Sequence, residues 1–234
     1  MKKYEAILFD LDGTLLPMDM DTFSKGYLHS LAGEVEKYGY KEETLLPAMW
    51  RGVAAMVKND GKRTNYDVFW DTFASVLGEK TLSDIPHFDA YYSGKFNDAV
   101  KFTSPTPYAK KVVERARTCA DKVILATNPM FPTVAVEARL NWTGLSCRDF
   151  DYATDYSNSS YCKPNPRYYT EIMEKMNLDA KNCLMIGNNA QEDAEASIKA
   201  GLSAFLLTEW LICESGMPEC PTGDFDALVE FLKN

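Results

Sequence analysis

Three short runs of this 234-residue chain, "YEAILFD", "KVILATN" and "NCLMIGN", open as continuous apolar stretches and each stop abruptly at a polar residue. Runs of this kind suit strands covered on both faces, as in a parallel sheet, because neither side of the strand alternates toward water. Helical patterns lie between them: "YAKKVVERARTCA" before the second run, "PTVAVEARLNW" after it and "NPRYYTEIMEKMN" before the third. Strands alternating with helices predict a doubly wound α/β fold. With 46% hydrophobic residues, the chain has enough apolar material for a substantial core.

From about Pro17 to about Ala90 the rhythm breaks. "DTFSKGYLHSLAGEVEKYG", "ETLLPAMWRGVAAMVKN" and "NYDVFWDTFASVLGE" are amphipathic helical stretches with no buried strand among them. The economical reading is a helical lobe over residues 17–90, inserted into a core made of residues 1–16 and 91–234. Its joints fall near Leu16 to Asp19 and in the Pro-containing "KFTSPTPYA".

Charge and cysteine usage narrow the partners. A formal charge of -9 argues against nucleic acid and against an acidic membrane surface, since both are approached through basic patches. The start lacks a sustained apolar segment with a cleavage site, and "GLSAFLLTEWLIC" is short and broken by Glu209, so neither a signal peptide nor a membrane span is expected. The six cysteines sit singly at irregular spacings, which fits reduced thiols in a cytoplasmic protein.

In an open α/β sheet, ligands bind beyond the carboxyl ends of the strands, so the polar run ends converge on one crevice. Asp10 and Asp12 are two residues apart, and on an extended segment their side chains share one side at roughly 6 to 7 Å along the strand. Two carboxylates so close call for a cation or a shared proton.

The residues "DLDGT" at 10 to 14 resemble the first motif of the haloacid dehalogenase-like hydrolase superfamily. Thr127 in "ILATNP" resembles the second motif, Lys163 in "YCKPNPRYY" the third, and "IGNNAQED" the acidic fourth, in order and across nearly the whole chain. The helical insert is similar to the family's type 1 cap on a Rossmann-like core. The resemblance implies a Mg²⁺-dependent phosphatase branch, with Asp10 as nucleophile forming an aspartyl phosphate and Asp12 as general acid and base. It further implies that Thr127, Asn128 and Lys163 hold a phosphoryl group, and that Asp10, the backbone carbonyl of Asp12, Asn188 and Asp193 face the metal. Where the family usually has Asp after the motif-four glycine, this chain has Asn188, a neutral oxygen donor, with Asn189 as another beside it. The substrate class so implied is a small phosphorylated metabolite. A sugar phosphomutase of the same superfamily is the nearest alternative, and a non-catalytic phosphate-binding regulator is a second.

Other conspicuous residues read as structural. Pro129 is expected to open the helix that follows Thr127. His29 and His87 have no ligand-like companions, and Trp50, Phe69, Trp70 and Phe73 fall at the spacing of a helix core. Arg51, Lys58, Lys62 and Arg63 read as a solvated surface.

Overall fold

The structure, a computed structural model, describes residues 2–233. At its centre is a six-stranded sheet of order β3-β2-β1-β4-β5-β6, with every neighbouring pair parallel. The strands are β1 (Tyr4–Phe9), β2 (Ala120–Leu125), β3 (Tyr152–Ala153), β4 (Cys183–Gly187), β5 (Ser203–Leu207) and β6 (Thr222–Gly223). β1, β2 and β4 are the three apolar runs, and they are the middle of the sheet. Alternate residues feed two different layers: Ile7, Phe9, Leu184 and Ile186 pack on one face, and Ala6, Leu8, Cys183 and Met185 on the other. This double burial is why the runs show no polar alternation. The short edge strands and β5 carried no comparable signal; β5 lies inside the window that the sequence offers only as too short for a membrane.

The helices are α1 (Met20–Val35), α2 (Glu42–Val57), α3 (Asn65–Leu77), α4 (Lys80–Ser93), α5 (Tyr108–Cys119), α6 (Thr133–Trp142), α7 (Pro166–Met176), α8 (Ala196–Lys199) and α9 (Phe225–Phe231). Among the described residues no strand lies between β1 and β2, and that interval holds α1 to α5 and the 3-10 segments Glu36–Tyr38 and Lys95–Phe102. The sequence reading had no counterpart for α4, so its boundary after residue 90 falls inside a helix that runs on to Ser93. The entering and leaving segments touch, Ser104 N donating to Pro17 O at 2.8 Å. Local chemistry starts the helices: Asp19 caps α1 by accepting from Thr22 N at 2.8 Å, and the Thr64 side chain caps α3.

The interior of the insert is aromatic. Phe69 and Phe73 stack with centroids 5.4 Å apart, while Trp70 and Phe73 meet Phe88 edge-on at 5.4 and 5.6 Å. The expectation for Phe69, Trp70 and Phe73 as core holds, but Trp50 is 53% exposed and does not join it. Trp142 of α6 packs against Phe23 and Phe96, joining the insert to the sheet layer. No described helix is long and apolar enough to cross a membrane.

Candidate active site

β1 sits between β2 and β4, and the ladder runs one residue past its end: Asp10 N donates to Ile186 O at 2.9 Å, and Ala126 N to Phe9 O at 2.7 Å. Asp10 therefore leaves the sheet at its centre, beside the ends of β2 and β4. Lys163, on the loop before α7, is completely buried and bridges two carboxylates, Asp10 Oδ1 at 2.9 Å and Asp193 Oδ1 at 2.6 Å. Burial pushes the Asp10 carboxyl up to about 7; the Lys163 ammonium opposes that rise, and Asp193 and Asp12 add to it. Burial also disfavours charge on Lys163, but the two carboxylates outweigh it and hold the ammonium well above the usual lysine range.

Asp12 has a cation of its own. Arg139 of α6, with no exposed surface, donates from Nη1 to Asp12 Oδ2, while its Nε donates to Ala135 O at 3.2 Å. Its guanidinium lies 4.1 Å from the centre of the Phe131 ring. Two adjacent acids call for a cation or a shared proton, and two separate buried side-chain cations meet part of that need. Sequence reasoning missed Arg139 because a basic residue in the last turn of a helix is ordinary dipole chemistry. Only the fold brings it to an acid 127 positions away.

The fourth motif folds as a tight anchor. Asp193 Oδ2 accepts from Asn188 N at 3.0 Å and Asn189 N at 2.9 Å, so both oxygens of this carboxylate are engaged. Asn189 Oδ1 caps the π-helical turn Ala190–Glu195, accepting from the amides of Gln191 and Glu192, and so serves the backbone. The Asn188 carboxamide uses both ends: Oδ1 accepts from the Thr14 hydroxyl at 2.9 Å and Nδ2 donates to Trp210 O at 2.7 Å. A carboxylate at 188 would set oxygen against that carbonyl, which gives a physical reason for Asn here. Two glycines permit the approach: a Cβ on Gly13, at φ +85°, would lie 2.4 Å from Asn188 Nδ2, and one on Gly187 2.1 Å from Asp193 Oδ2.

Thr127 follows β2, and its carbonyl accepts from the hydroxyls of Thr154 and Tyr168, each at 2.8 Å. Its own hydroxyl is buried without a partner. Asn128 grips Lys163 by both backbone groups and donates to Glu192 Oε2 at 3.1 Å. Burial raises the Glu192 carboxyl, with Lys163 opposing the rise. The expectation for Pro129 is corrected: α6 starts at Thr133, with Pro132 in the cap position, because Met130 and Phe131 continue the loop and line the crevice. Among the described residues, five buried side-chain polar atoms lack a partner, and three of them, Asp12 Oδ1, Thr127 Oγ1 and Arg139 Nη2, belong to this site. Such a concentration fits a place prepared for a polar ligand.

The crevice encloses about 320 Å³ and is lined by Asp10, Asp12, Asn128, Asn188, Glu192 and Asp193, with Met20, Met130 and Phe131 among its apolar walls. The residues read as bystanders remain so. His29 is paired with Glu42 on the surface, His87 stacks on Tyr38, and Lys62 and Arg63 pair with Asp60 and Asp71. Neither Arg51 nor Lys58 lines the crevice. All six cysteines are free thiols.

Among the described residues, no trio of His, Cys, Asp or Glu forms a ready metal cluster, since Lys163 and Arg139 already occupy the acids. Asp10, the backbone carbonyl of Asp12 and the second lone pair of Asn188 Oδ1 together present an all-oxygen set suited to a hard cation.

A parallel sheet whose central strand runs into two acids, with a buried lysine from a neighbouring loop bridging one of them, defines an α/β protein with a charged crevice at the carboxyl edge of its sheet. The chain belongs to the haloacid dehalogenase-like hydrolases, whose family model matches residues 4–201. It is 24% identical over 200 residues to pyrophosphatase PpaX of Bacillus velezensis, covering 86% of this chain and 81% of that protein. In shape it is similar to the HAD-hydrolase YfnB of Bacillus subtilis, solved bound to magnesium (TM-score 0.58, 19% identity, all of both chains). It is also similar to a 2-haloacid dehalogenase of Pseudomonas syringae (TM-score 0.65, 17% identity, 98% of both chains).

Proposed function

We propose that this hydrolase is a Mg²⁺-dependent phosphatase of small phosphate monoesters, working through an aspartyl phosphate on Asp10. The observation that carries the reading is the pair of acids, Asp10 buried and Asp12 partly so, each with its own buried cation. Lys163 holds one oxygen of Asp10 and leaves the other facing the crevice for attack on phosphorus, while Arg139 holds one oxygen of Asp12 and leaves Oδ1 without a partner. In the first step the free Asp10 oxygen forms a bond to phosphorus, the ester P–O bond breaks, and Asp12 delivers a proton to the departing alkoxide. In the second, Asp12 takes a proton from water, whose oxygen displaces Asp10 and releases phosphate. Thr127 and the Lys163 ammonium receive the phosphoryl oxygens. Asp10, the Asp12 carbonyl and Asn188 are the residues that would hold Mg²⁺, which would supply charge neutralisation toward the phosphate.

Asp12 also separates this reading from dehalogenation. A halide leaves without needing a proton, whereas an alkoxide requires one, and here an acid is braced at that position. Helices α1 to α4 act in this proposal as a cap that excludes water and selects the leaving group. The test is release of phosphate from ethyl phosphate with and without Mg²⁺, together with hydroxylamine capture of the acyl phosphate and a parallel assay with 2-chloropropionate. Phosphate release that survives Asp10→Asn, or halide release in its place, would overturn the assignment. A requirement for a bisphosphate activator would mark the phosphomutase alternative.

A further inference from the structure

Beside the acidic crevice lies a second chamber of about 160 Å³, enclosed between the insert and the loop before α6. The two spaces share Met20, Met130 and Phe131 as a common wall. Phe131 is the ring that covers the guanidinium of Arg139, and Arg139 holds Asp12. A group protonated by Asp12 would depart within the crevice that this wall borders, and the chamber lies on the other side of the wall.

The lining of the chamber is specific in its chemistry. Apart from Ser24 and Asp89, it consists of aromatic and aliphatic side chains, Tyr27, Trp70 and Tyr92 among them, and it contains no Lys, Arg or His. An apolar cavity of about 150 Å³ takes up a single benzene ring, so the volume matches one six-membered ring. Trp70 Nε1 is buried in this lining without a hydrogen-bond partner. Asp89 belongs to no ion pair among the described residues, and burial raises its carboxyl. A second anion on the ligand would meet a low-dielectric wall carrying one unneutralised acid and no cation.

We propose that the chamber receives the leaving alcohol, and that the substrate is the phosphate monoester of a small alcohol bearing one ring-sized apolar group and no second anionic group. This rests on the phosphatase reading above and deepens it. It also separates this chain from its pyrophosphatase relative, because the group leaving from pyrophosphate is itself a compact anion with nothing here to receive it.

The experiment compares kcat/KM for four phosphates: ethyl phosphate, whose alcohol is too short to fill the chamber, benzyl phosphate, 4-carboxybenzyl phosphate and pyrophosphate. Burial of the ring predicts benzyl phosphate to exceed ethyl phosphate by about 10- to 100-fold. The carboxylated ester and pyrophosphate fall below benzyl phosphate by at least about 10-fold. In Asp89→Asn the penalty on the carboxyl group shrinks, and in Val53→Phe, which narrows the chamber, the benzyl-to-ethyl ratio falls toward one. Ethyl phosphate turned over as well as benzyl phosphate would overturn the chamber assignment and leave the phosphatase reading standing. If none of the four is hydrolysed, the phosphatase reading fails. Benzylphosphonate, titrated against the intrinsic tryptophan fluorescence, then decides the chamber: saturable quenching that Val53→Phe removes supports it, and no response overturns it.

Discussion

The crevice and the interior of the helical insert are both buried, and they are buried in opposite ways. In the insert, Phe69, Phe73 and Phe88 meet ring against ring, and none of the three carries a charge in need of a partner. In the crevice, Asp10, Asp193 and Lys163 form one charged group, with Asp12 and Arg139 forming another beside it. Aromatic burial stabilises a fold outright. Buried ion pairs roughly break even against apolar residues of the same volume, so their presence is explained by chemistry more than by stability. The contrast teaches that the two regions answer to different demands, and each can be broken separately.

The sharpest break is Asp10→Asn, which keeps the shape and leaves Lys163 with Asp193. Turnover of ethyl phosphate should fall by about 10⁴-fold or more while the unfolding midpoint stays near that of the parent. Single-turnover phosphate release and urea titration of the same preparation check both halves. The mirror experiment is Phe73→Ala, which should cost about 3–5 kcal/mol of stability through cavity formation. Its folded fraction should still form the acyl phosphate, measured by hydroxylamine capture per folded molecule.

Arg139→Met falls between these extremes, since it leaves Asp12 buried beside no cation. A stability loss of about 3 kcal/mol is expected. Turnover of ethyl phosphate should drop about 10²-fold, and 4-nitrophenyl phosphate, whose leaving group needs little protonation, should lose much less. Equal losses for both substrates would remove Arg139 from the positioning of Asp12. Asn188→Asp sets a carboxylate against the Trp210 carbonyl and should cost about 1–3 kcal/mol without metal. Added Mg²⁺ should return part of that stability in a thermal melt, whereas an unchanged melt would take residue 188 out of the metal site. The smallest effect is expected for Thr127→Val, where removing a buried hydroxyl without a partner should raise stability by up to about 1 kcal/mol. Competitive inhibition by inorganic phosphate should weaken at the same time. A loss of stability would mean that the hydroxyl has a structural partner after all.

The sequence by itself determined the α/β alternation, the central strands and the identity of the residues at their ends, because these are local patterns of period, turn and capping. The order of "DLDGT", Thr127, Lys163 and "IGNNAQED" was legible for the same reason: each sits at a strand end or on an adjoining loop, where chemistry-bearing residues interrupt an apolar run. The edge strands, β5 and α4 were not legible, since two-residue strands have no period and α4 carries Pro86 within its span. Tertiary structure alone decided which partners these residues meet. Arg139 reaches Asp12 across 127 positions, Lys163 reaches Asp10 across 153, and Trp210 offers its carbonyl to Asn188 from the loop after β5. The apolar chamber beyond Phe131 is likewise assembled from six separate stretches of chain. Pairing and enclosure of this kind depend on distance in space, which a pattern read along the chain does not contain.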